Sequence, residues 1–230
     1  MVTKALVWNI DKFGEAEITS ALKEAIWKML SEGHQLILTS GRCTPGMRRF
    51  EKELQMDKYG GYLFAYNGAK IVECRRGEIV YQRTLAPMYI PRLYNFAKEN
   101  GCGLLTYLSS EVISAFEPDE YVVREGRVNG LPVRHVVNFP RYMEFAFNKC
   151  LMTAPAEKAE ELEKLLRDKF SSNLSIFRNH DFAVEIMPKN VDKESALAEL
   201  FKVIGVEQEN AIHRNDEESI IQAIKGFVND

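Results

Sequence analysis

The sequence predicts an α/β protein in which a parallel-sheet core is interrupted by an α+β insertion. Two observations support this fold class. Short apolar runs alternate with helical patterns in the first third of the chain, as in a parallel sheet covered by helices. The middle of the chain then shows closely spaced strand patterns, before helical periodicity returns near its end. With 230 residues, the chain can form one large domain or two modest ones.

Three apolar runs and two helical patterns make up the first third of the chain. Thr19 or Ser20 is a suitable N-cap for the first helix, and Gly33 is a suitable stop. Because parallel sheets bind ligands at the carboxyl ends of their strands, the polar residues after each run are candidate site residues. The predicted elements are strand Ala5–Trp8, helix Ala21–Leu30, strand Leu36–Leu38, helix Pro45–Leu54 and strand Tyr62–Tyr66.

The rest of the chain predicts an inserted domain between the two parts of the core. We place the core at residues 1–82 and 187–230 and the insertion at residues 83–186, and the segment 109–142 gives no clear pattern. The predicted elements are strand Ile79–Tyr81, helix Ile90–Glu99, strands Gly103–Leu108 and Phe145–Met152, helix Glu157–Phe170, antiparallel strands Leu174–Phe177 and Phe182–Ile186, and helices Lys193–Ile204 and Glu217–Phe227.

Composition excludes several function classes. A net charge of −3 and a pI near 5.9 argue against a nucleic-acid or membrane partner, and no apolar run approaches the ~20 residues of a membrane span. The chain leads directly into a strand, so we expect no signal peptide and a cytoplasmic protein. The mixed surface charge favours a monomer. The four cysteines, which form no CxxC pair and no cluster with histidine, predict reduced thiols without zinc: Cys43, Cys74, Cys102 and Cys150.

Four motifs occur in a fixed order. They are Leu6–Asp11, Leu36–Arg42, Ala65–Ala69 and Glu185–Lys193, and the long insertion separates the third from the fourth. In this order they resemble the Cof-type phosphatases of the haloacid dehalogenase (HAD) superfamily over nearly the whole chain. The resemblance implies a Rossmann-like core with an inserted cap domain. It also implies magnesium-dependent hydrolysis of small phosphorylated metabolites such as sugar phosphates.

The resemblance assigns roles to the phosphate-binding and substrate-side residues. Ser40 and Gly41 would bind the phosphoryl group and Lys193 would pair with it, while Arg42 and Asn67 would face the substrate. From the residues alone, plainer roles remain open. Ser40-Gly41 and Asn67 could be ordinary turn residues, Arg42 could pair with an acidic neighbour, and Lys193 could be a solvent-exposed helix residue.

The first motif departs from the family at its most important position. The family attacks phosphorus with an aspartate at the end of the first strand, and a second aspartate two residues later acts as general acid and base. Asp11 matches the second aspartate, although it could also cap a turn, but Asn9 stands at the nucleophile position. Asn9 and Asp11 would also form a weak metal site. Lys12-Phe13 replaces the family's Gly-Thr turn.

The family's late metal-binding motif, Gly-Asp-x-x-Asn-Asp, is also missing. His213–Glu218 could be an altered version of it, with Arg214 in place of a metal ligand. In the alignment that we prefer, Asn215–Ile224 resembles the family's terminal Asn-Asp-Glu-Asp-Gly segment and closing helix. On that view a strand, a loop and a helix are absent just before Ala211–Arg214, so the second core segment is truncated.

Three accounts of these departures remain open. The protein could be a pseudo-phosphatase that keeps the fold without the metal site, or Asn9 could block an otherwise working enzyme. Alternatively, residues could be missing from the sequence near Asp11 and near Asn210–His213. The sequence therefore predicts a HAD-type phosphatase fold with impaired or absent hydrolysis. The alternatives are a regulatory protein that binds phosphorylated metabolites, an active hydrolase with an altered sequence, and a structural domain without a ligand.

Overall fold

The structure is a computed structural model, and it describes residues 2–12, 17–191 and 193–228. The chain divides into two compact units, the first being Met1–Gln82 with Asp192–Asp230 and the second Arg83–Val191. The strands are β1 (Ala5–Asn9), β2 (Gln35–Thr39), β3 (Tyr62–Ala65), β4 (Lys70–Glu73), β5 (Ile79–Gln82), β6 (Gly103–Tyr107), β7 (Val112–Ser114), β8 (Val133–His135), β9 (Cys150–Thr153), β10 (Leu174–His180), β11 (Ala183–Pro188) and β12 (Ala211–Arg214).

The helices in the same described ranges follow in chain order. They are α1 (Ser20–Ser31), α2 (Thr44–Glu53), α3 (Met56–Tyr59), α4 (Ile90–Glu99), α5 (Glu120–Asn129), α6 (Phe139–Tyr142), α7 (Ala156–Phe170), α8 (Lys193–Ile204) and α9 (Glu217–Val228). Short 3-10 turns cover Ile10–Lys12, Tyr66–Gly68, Pro87–Tyr89 and Gln208–Asn210. No helix in these ranges has the length and hydropathy needed to cross a bilayer.

The first unit contains a mixed sheet in the order β12-β1-β2-β3-β4-β5. The first four strands in this order run parallel, and β4 and β5 are antiparallel additions at one end. The predicted parallel-sheet core of the α/β fold class is therefore confirmed. Strand β4 was not predicted from the sequence, because it follows the Tyr66–Gly68 turn directly and has only two apolar residues.

Apolar side chains on both faces explain why the central strands form. Ala5 and Val7 of β1 share a cluster with Ile37 and Phe64, and α8 covers this cluster with Leu200 and other apolar residues. The alternate residues of β1, Leu6 and Trp8, are also fully buried. Each large buried side chain contributes roughly 1.5–3 kcal/mol. Such two-sided burial requires the continuous apolar runs seen in the sequence.

Helix α1 begins where its capping group predicts. The Thr19 side chain accepts a hydrogen bond from the backbone N–H of Leu22, so Thr19 is the N-cap and Ser20 is the first helical residue. Helix α1 packs against α9 on the first unit. These helices anchor the sheet from which the candidate site residues project.

The second unit contains a separate sheet in the order β10-β11-β9-β6-β7-β8. One cluster joins this sheet to α4 and α7 through residues such as Phe96, Leu104 and Phe170. The segment without a clear pattern forms β7, α5, β8 and α6, whose short strands and turns leave little periodicity. The second predicted boundary, at residue 186, lies inside β11, which continues to Pro188.

The predicted strand Phe145–Met152 is wrong over its first five residues. The regular strand β9 starts at Cys150, and before it Phe147 forms an isolated bridge with Leu85. Phe147 is buried in the core of the unit, whereas Phe145 is 41% exposed. Phe145 and Phe147 thus alternate as residues of a strand do, although they belong to an irregular segment.

Candidate active site

The carboxyl ends of β1, β2 and β3 bring three of the four motifs together. In the sheet register Asn9 lies opposite Thr39, and Thr39 lies opposite Phe64. The residues that follow each strand therefore meet at one edge of the sheet, as parallel strands require. The contacts among these residues define the candidate site.

The Asn9 side chain is used within its own turn. Its Oδ1 accepts a hydrogen bond of 3.0 Å from the backbone N–H of Asp11, which closes the short turn Ile10–Lys12. The amide is uncharged, and its oxygen serves here as a capping acceptor. Asn9 Oδ1, at the predicted nucleophile position, is thus the hydrogen-bond acceptor for the backbone N–H of Asp11.

The Asp11 carboxylate is held by two donors from the second motif. The Ser40 hydroxyl donates to Asp11 Oδ1, and the Gly41 backbone N–H lies 3.0 Å from Oδ2 and 3.3 Å from Oδ1. Asp11 itself is exposed, whereas Ser40 is fully buried. The two residues predicted to bind phosphate therefore bind a carboxylate of the same chain.

Backbone contacts fix the orientation of Ser40. The backbone N–H of Arg42 donates to Ser40 Oγ at 3.0 Å, so an acceptor position of the hydroxyl is filled and its single proton is left for Asp11. The backbone of Ser40 is held on both sides, by the carbonyl of Phe64 and by the N–H of Asn67, each at 3.0 Å. We conclude that Ser40 is a preorganised hydrogen-bond donor.

The segment after β3 has a left-handed backbone conformation. Tyr66, Asn67 and Gly68 have φ of 52°, 53° and 96°, and for a tyrosine and an asparagine this costs on the order of 1–3 kcal/mol each. Tyr66 is buried, and burial raises the pKa of its hydroxyl. Tyr66 was not predicted as a site residue, because only the Asn-Gly pair gives a turn signal. Such strain is concentrated at functional sites.

Asn67 lies directly beside the second motif. A Cβ atom added to Gly41 would lie 3.3 Å from Asn67 Oδ1, so the absence of a side chain at position 41 allows the two segments to approach. The backbone N–H of Tyr66 also donates to the carbonyl of Arg42 at 2.9 Å. The structure thus brings Asn67 to the Ser40-Gly41 segment.

Lys193 and Arg42 are placed less directly. Lys193 is the half-buried first residue of α8, which packs against the Tyr66–Gly68 turn. In the described part of the chain, no hydrogen bond joins Lys193 to Ser40. The Arg42 guanidinium lies 6.0 Å from the ring centroid of Phe50, which is in the following helix, α2. Both cations remain candidates for substrate contact.

Among the described residues, few oxygen ligands are available for a magnesium ion at these strand ends. Mg²⁺ prefers six oxygen ligands, including one or two carboxylates, yet residues 2–12, 17–191 and 193–228 contain no group of three acidic, histidine or cysteine side chains that could hold a metal. The oxygens of Asn9 and Asp11 already accept hydrogen bonds. Strand β12 lies beside β1 with Arg214 opposite Trp8, which adds a cation next to this end of the sheet.

The acidic residue after β12 has a structural role. Asp216 accepts hydrogen bonds from the Ser219 hydroxyl and from its backbone N–H at the start of α9. These hydrogen bonds lower the pKa of the Asp216 carboxyl. The carboxylate thus acts as an N-cap, which is consistent with the alignment that assigns Asn215–Ile224 to the closing helix of the family.

Comparison with known families identifies the class of protein. Residues 13–219 match the family of haloacid dehalogenase-like hydrolases, and the chain belongs to this family. The predicted superfamily is confirmed. The matched region begins after Asn9 and Asp11, so the family match does not include the first motif.

Individual relatives agree with this family. The chain is similar to the Bacillus subtilis protein named "Putative phosphatase YxeH", with 24% identity over 195 residues, which are 84% of this chain and 72% of that protein. It is also similar to a haloacid dehalogenase-like hydrolase from Bacteroides thetaiotaomicron, with 29% identity, 93% and 82% of the two chains covered, and a TM-score of 0.87. The HAD subclass IIB sugar phosphatase BT4131 has the same fold, with 17% identity, 92% and 80% coverage and a TM-score of 0.72.

Proposed function

We propose that this protein binds the phosphate group of small phosphorylated metabolites and hydrolyses it poorly or not at all. The observation that carries this proposal is the convergence of the Ser40 hydroxyl and the Gly41 N–H on one anionic group. Two donors in fixed positions can bind a phosphoryl oxygen as well as a carboxylate oxygen. The family membership and the phosphatase names of the relatives support a phosphate monoester as ligand.

The impairment follows from the chemistry of position 9. A nucleophile in this fold must offer a negatively charged oxygen to phosphorus. The Asn9 side chain is neutral, and its oxygen accepts a hydrogen bond from Asp11. A phosphometabolite-binding protein without turnover is the second candidate function, and it is favoured by the lack of a metal-binding group among the described residues. Sugar phosphates are the proposed substrate class.

An Asn9→Asp variant tests the proposal. The parent and the variant are assayed with magnesium against a panel of sugar phosphates and a chromogenic phosphate ester, and ester binding is measured calorimetrically. We expect saturable binding by both proteins, and a gain in turnover on the order of a hundredfold or more in the variant only would show that Asn9 alone blocks hydrolysis. Asn173→Asp, which adds the same charge at an exposed position of the second unit, should change neither property.

The outcomes separate the candidate functions. Turnover by the parent at the level of an ordinary phosphatase would contradict the role assigned to Asn9 and would favour an active hydrolase. Saturable ester binding without turnover by either protein would favour the binding protein. Absence of ester binding by both would overturn the proposed function. If Lys193→Ala left binding unchanged, the assignment of Lys193 to the phosphate would be wrong.

A further inference from the structure

The position of Asp11 has a consequence for anion binding. Its carboxylate accepts hydrogen bonds from the Ser40 hydroxyl and the Gly41 N–H, which are the donors proposed to bind phosphate. One oxygen, Oδ1, interacts with both donors, and Oδ2 interacts with Gly41. We call Ser40 Oγ–H and Gly41 N–H together the Ser40–Gly41 cradle. In this conformation an anion of the chain itself already fills the cradle.

The geometry points to Asp11 as an internal competitor of the phosphate ligand. An incoming oxyanion must displace the carboxylate from the cradle before it can use the same donors. It must also overcome the repulsion between its own negative charge and that of Asp11 over a short distance. This inference rests on the proposed function for the identity of the ligand, and it adds an autoinhibitory contact to that site.

Two features of the structure keep Asp11 in the cradle. The Asn9 side chain accepts a hydrogen bond of 3.0 Å from the backbone N–H of Asp11. The turn therefore fixes the position of Asp11 in addition to the contacts of its carboxylate. The buried Ser40 is oriented by the N–H of Arg42, which directs the hydroxyl proton toward the carboxylate. Both sides of the contact are therefore preorganised, and an external ligand gains the donors only by replacing an existing charge-assisted pair.

The size of the effect can be estimated from hydrogen bonds to charged groups. Such a charge-assisted bond is stronger than a neutral one, and a factor of ten in affinity corresponds to about 1.4 kcal/mol. Removal of the Asp11 charge should therefore tighten binding of inorganic phosphate on the order of tenfold or more. Because Asp11 is exposed, replacing it should leave the core intact, which thermal unfolding would verify.

Phosphate titration of the full chain by isothermal calorimetry tests this inference. Asp11→Asn removes the charge, and Asp11→Ala also removes the acceptor, so both variants should bind phosphate more tightly than the parent. Asp57→Asn removes one negative charge from an exposed position of α3 and serves as the matched control, for which we expect parental affinity. Addition of Ser40→Ala to either Asp11 variant should abolish the gain.

The inference and the proposed function can fail separately. If both Asp11 variants bind phosphate no more tightly than the parent, or if the gain persists without the Ser40 hydroxyl, the internal competition is wrong. Phosphate binding requires no nucleophile, so a gain in the Asp11 variants would stand even if Asn9→Asp hydrolysed nothing. Conversely, turnover by Asn9→Asp together with unchanged phosphate affinity in the Asp11 variants would overturn only the autoinhibitory contact.

Discussion

Lys149 and Glu185 form an ion pair inside the second unit, with 3.4 Å between Nζ and Oε1 and only 3% of each side chain exposed. The lysine ammonium also lies 5.4 Å from the ring centroid of Tyr107. Glu185 is on β11 and Lys149 immediately precedes β9, its neighbour in the sheet. Removing one member of such a buried pair is costly, because the other charge stays buried without the opposite charge beside it.

Loss of one member of this pair should therefore be worse than loss of both. We expect Lys149→Met to lower the free energy of unfolding by about 3–5 kcal/mol, whereas Lys149→Met combined with Glu185→Leu should lie close to the parent. Urea unfolding of the parent, both single variants and the double variant gives the coupling energy. Additive losses in the double variant would show that the two charges do not stabilise each other.

Gly68 should tolerate a side chain less well than Gly33, although both have φ near 90°. A Cβ atom at Gly68 would lie 2.6 Å from Phe64 Cζ and 3.0 Å from Ala196 Cβ, whereas nothing lies within 4 Å of a Cβ atom at Gly33. Gly33→Ala should cost about 1–2 kcal/mol from its backbone conformation. Gly68→Ala should lose a further 1–3 kcal/mol or so through overpacking.

Thermal and urea unfolding of these two alanine variants would measure the difference. Equal losses in both would mean that the turn shifts to accommodate the methyl group, and that the close packing of α8 on the Tyr66–Gly68 turn is not restrictive.

Alkaline pH should destabilise the fold through Cys102. Burial raises the pKa of this thiol from 9.0 to about 11, so between these values the unfolded chain loses a proton that the folded chain keeps. The unfolded state then binds fewer protons, and the free energy of unfolding falls as the pH rises from about 9 to about 11. The stabilising contribution is complete below pH 9 and is lost through this window.

The slope of stability against pH provides the measurement. Cys102→Ala should show a shallower decline than the parent above pH 9, by up to about 1.4 kcal/mol per pH unit. Part of the decline should remain, since burial also raises the pKa of the Cys74 and Cys150 thiols. Ser114→Ala removes a buried hydroxyl that does not titrate in this range and should keep the parental slope. An unchanged slope in Cys102→Ala would contradict the assignment.

Elements with strong periodicity could be predicted closely from the sequence. Helix α8 spans Lys193–Ile204 as predicted. Strand β1 is one residue longer than predicted at its carboxyl end, and β2 is one residue longer at each end. Strand β12 was missed because its four residues are half-buried or exposed and include His213 and Arg214. Its pairing with β1 depends on the neighbouring strand, which local propensity does not encode.

The candidate site could be predicted only in part. The rule that ligands bind at strand ends brings Asn9 and Ser40 to one edge of the sheet, and the structure has them there. The contact of Asp11 with Ser40 could not be predicted, since it depends on the conformation of the Ile10–Lys12 turn. The positive φ of Tyr66 could not be predicted either, because tyrosine normally avoids positive φ. The assigned roles of these residues remain predictions.

Strand β12 pairs with β1 and, within the described ranges, with no second strand. Unpaired peptide groups along such a border are a template on which another polypeptide can add a strand. Arg214 limits this risk, because it is exposed on this border and its charge repels an identical chain. Neutralising this arginine would therefore favour self-association at high protein concentration, independently of any effect on ligand binding.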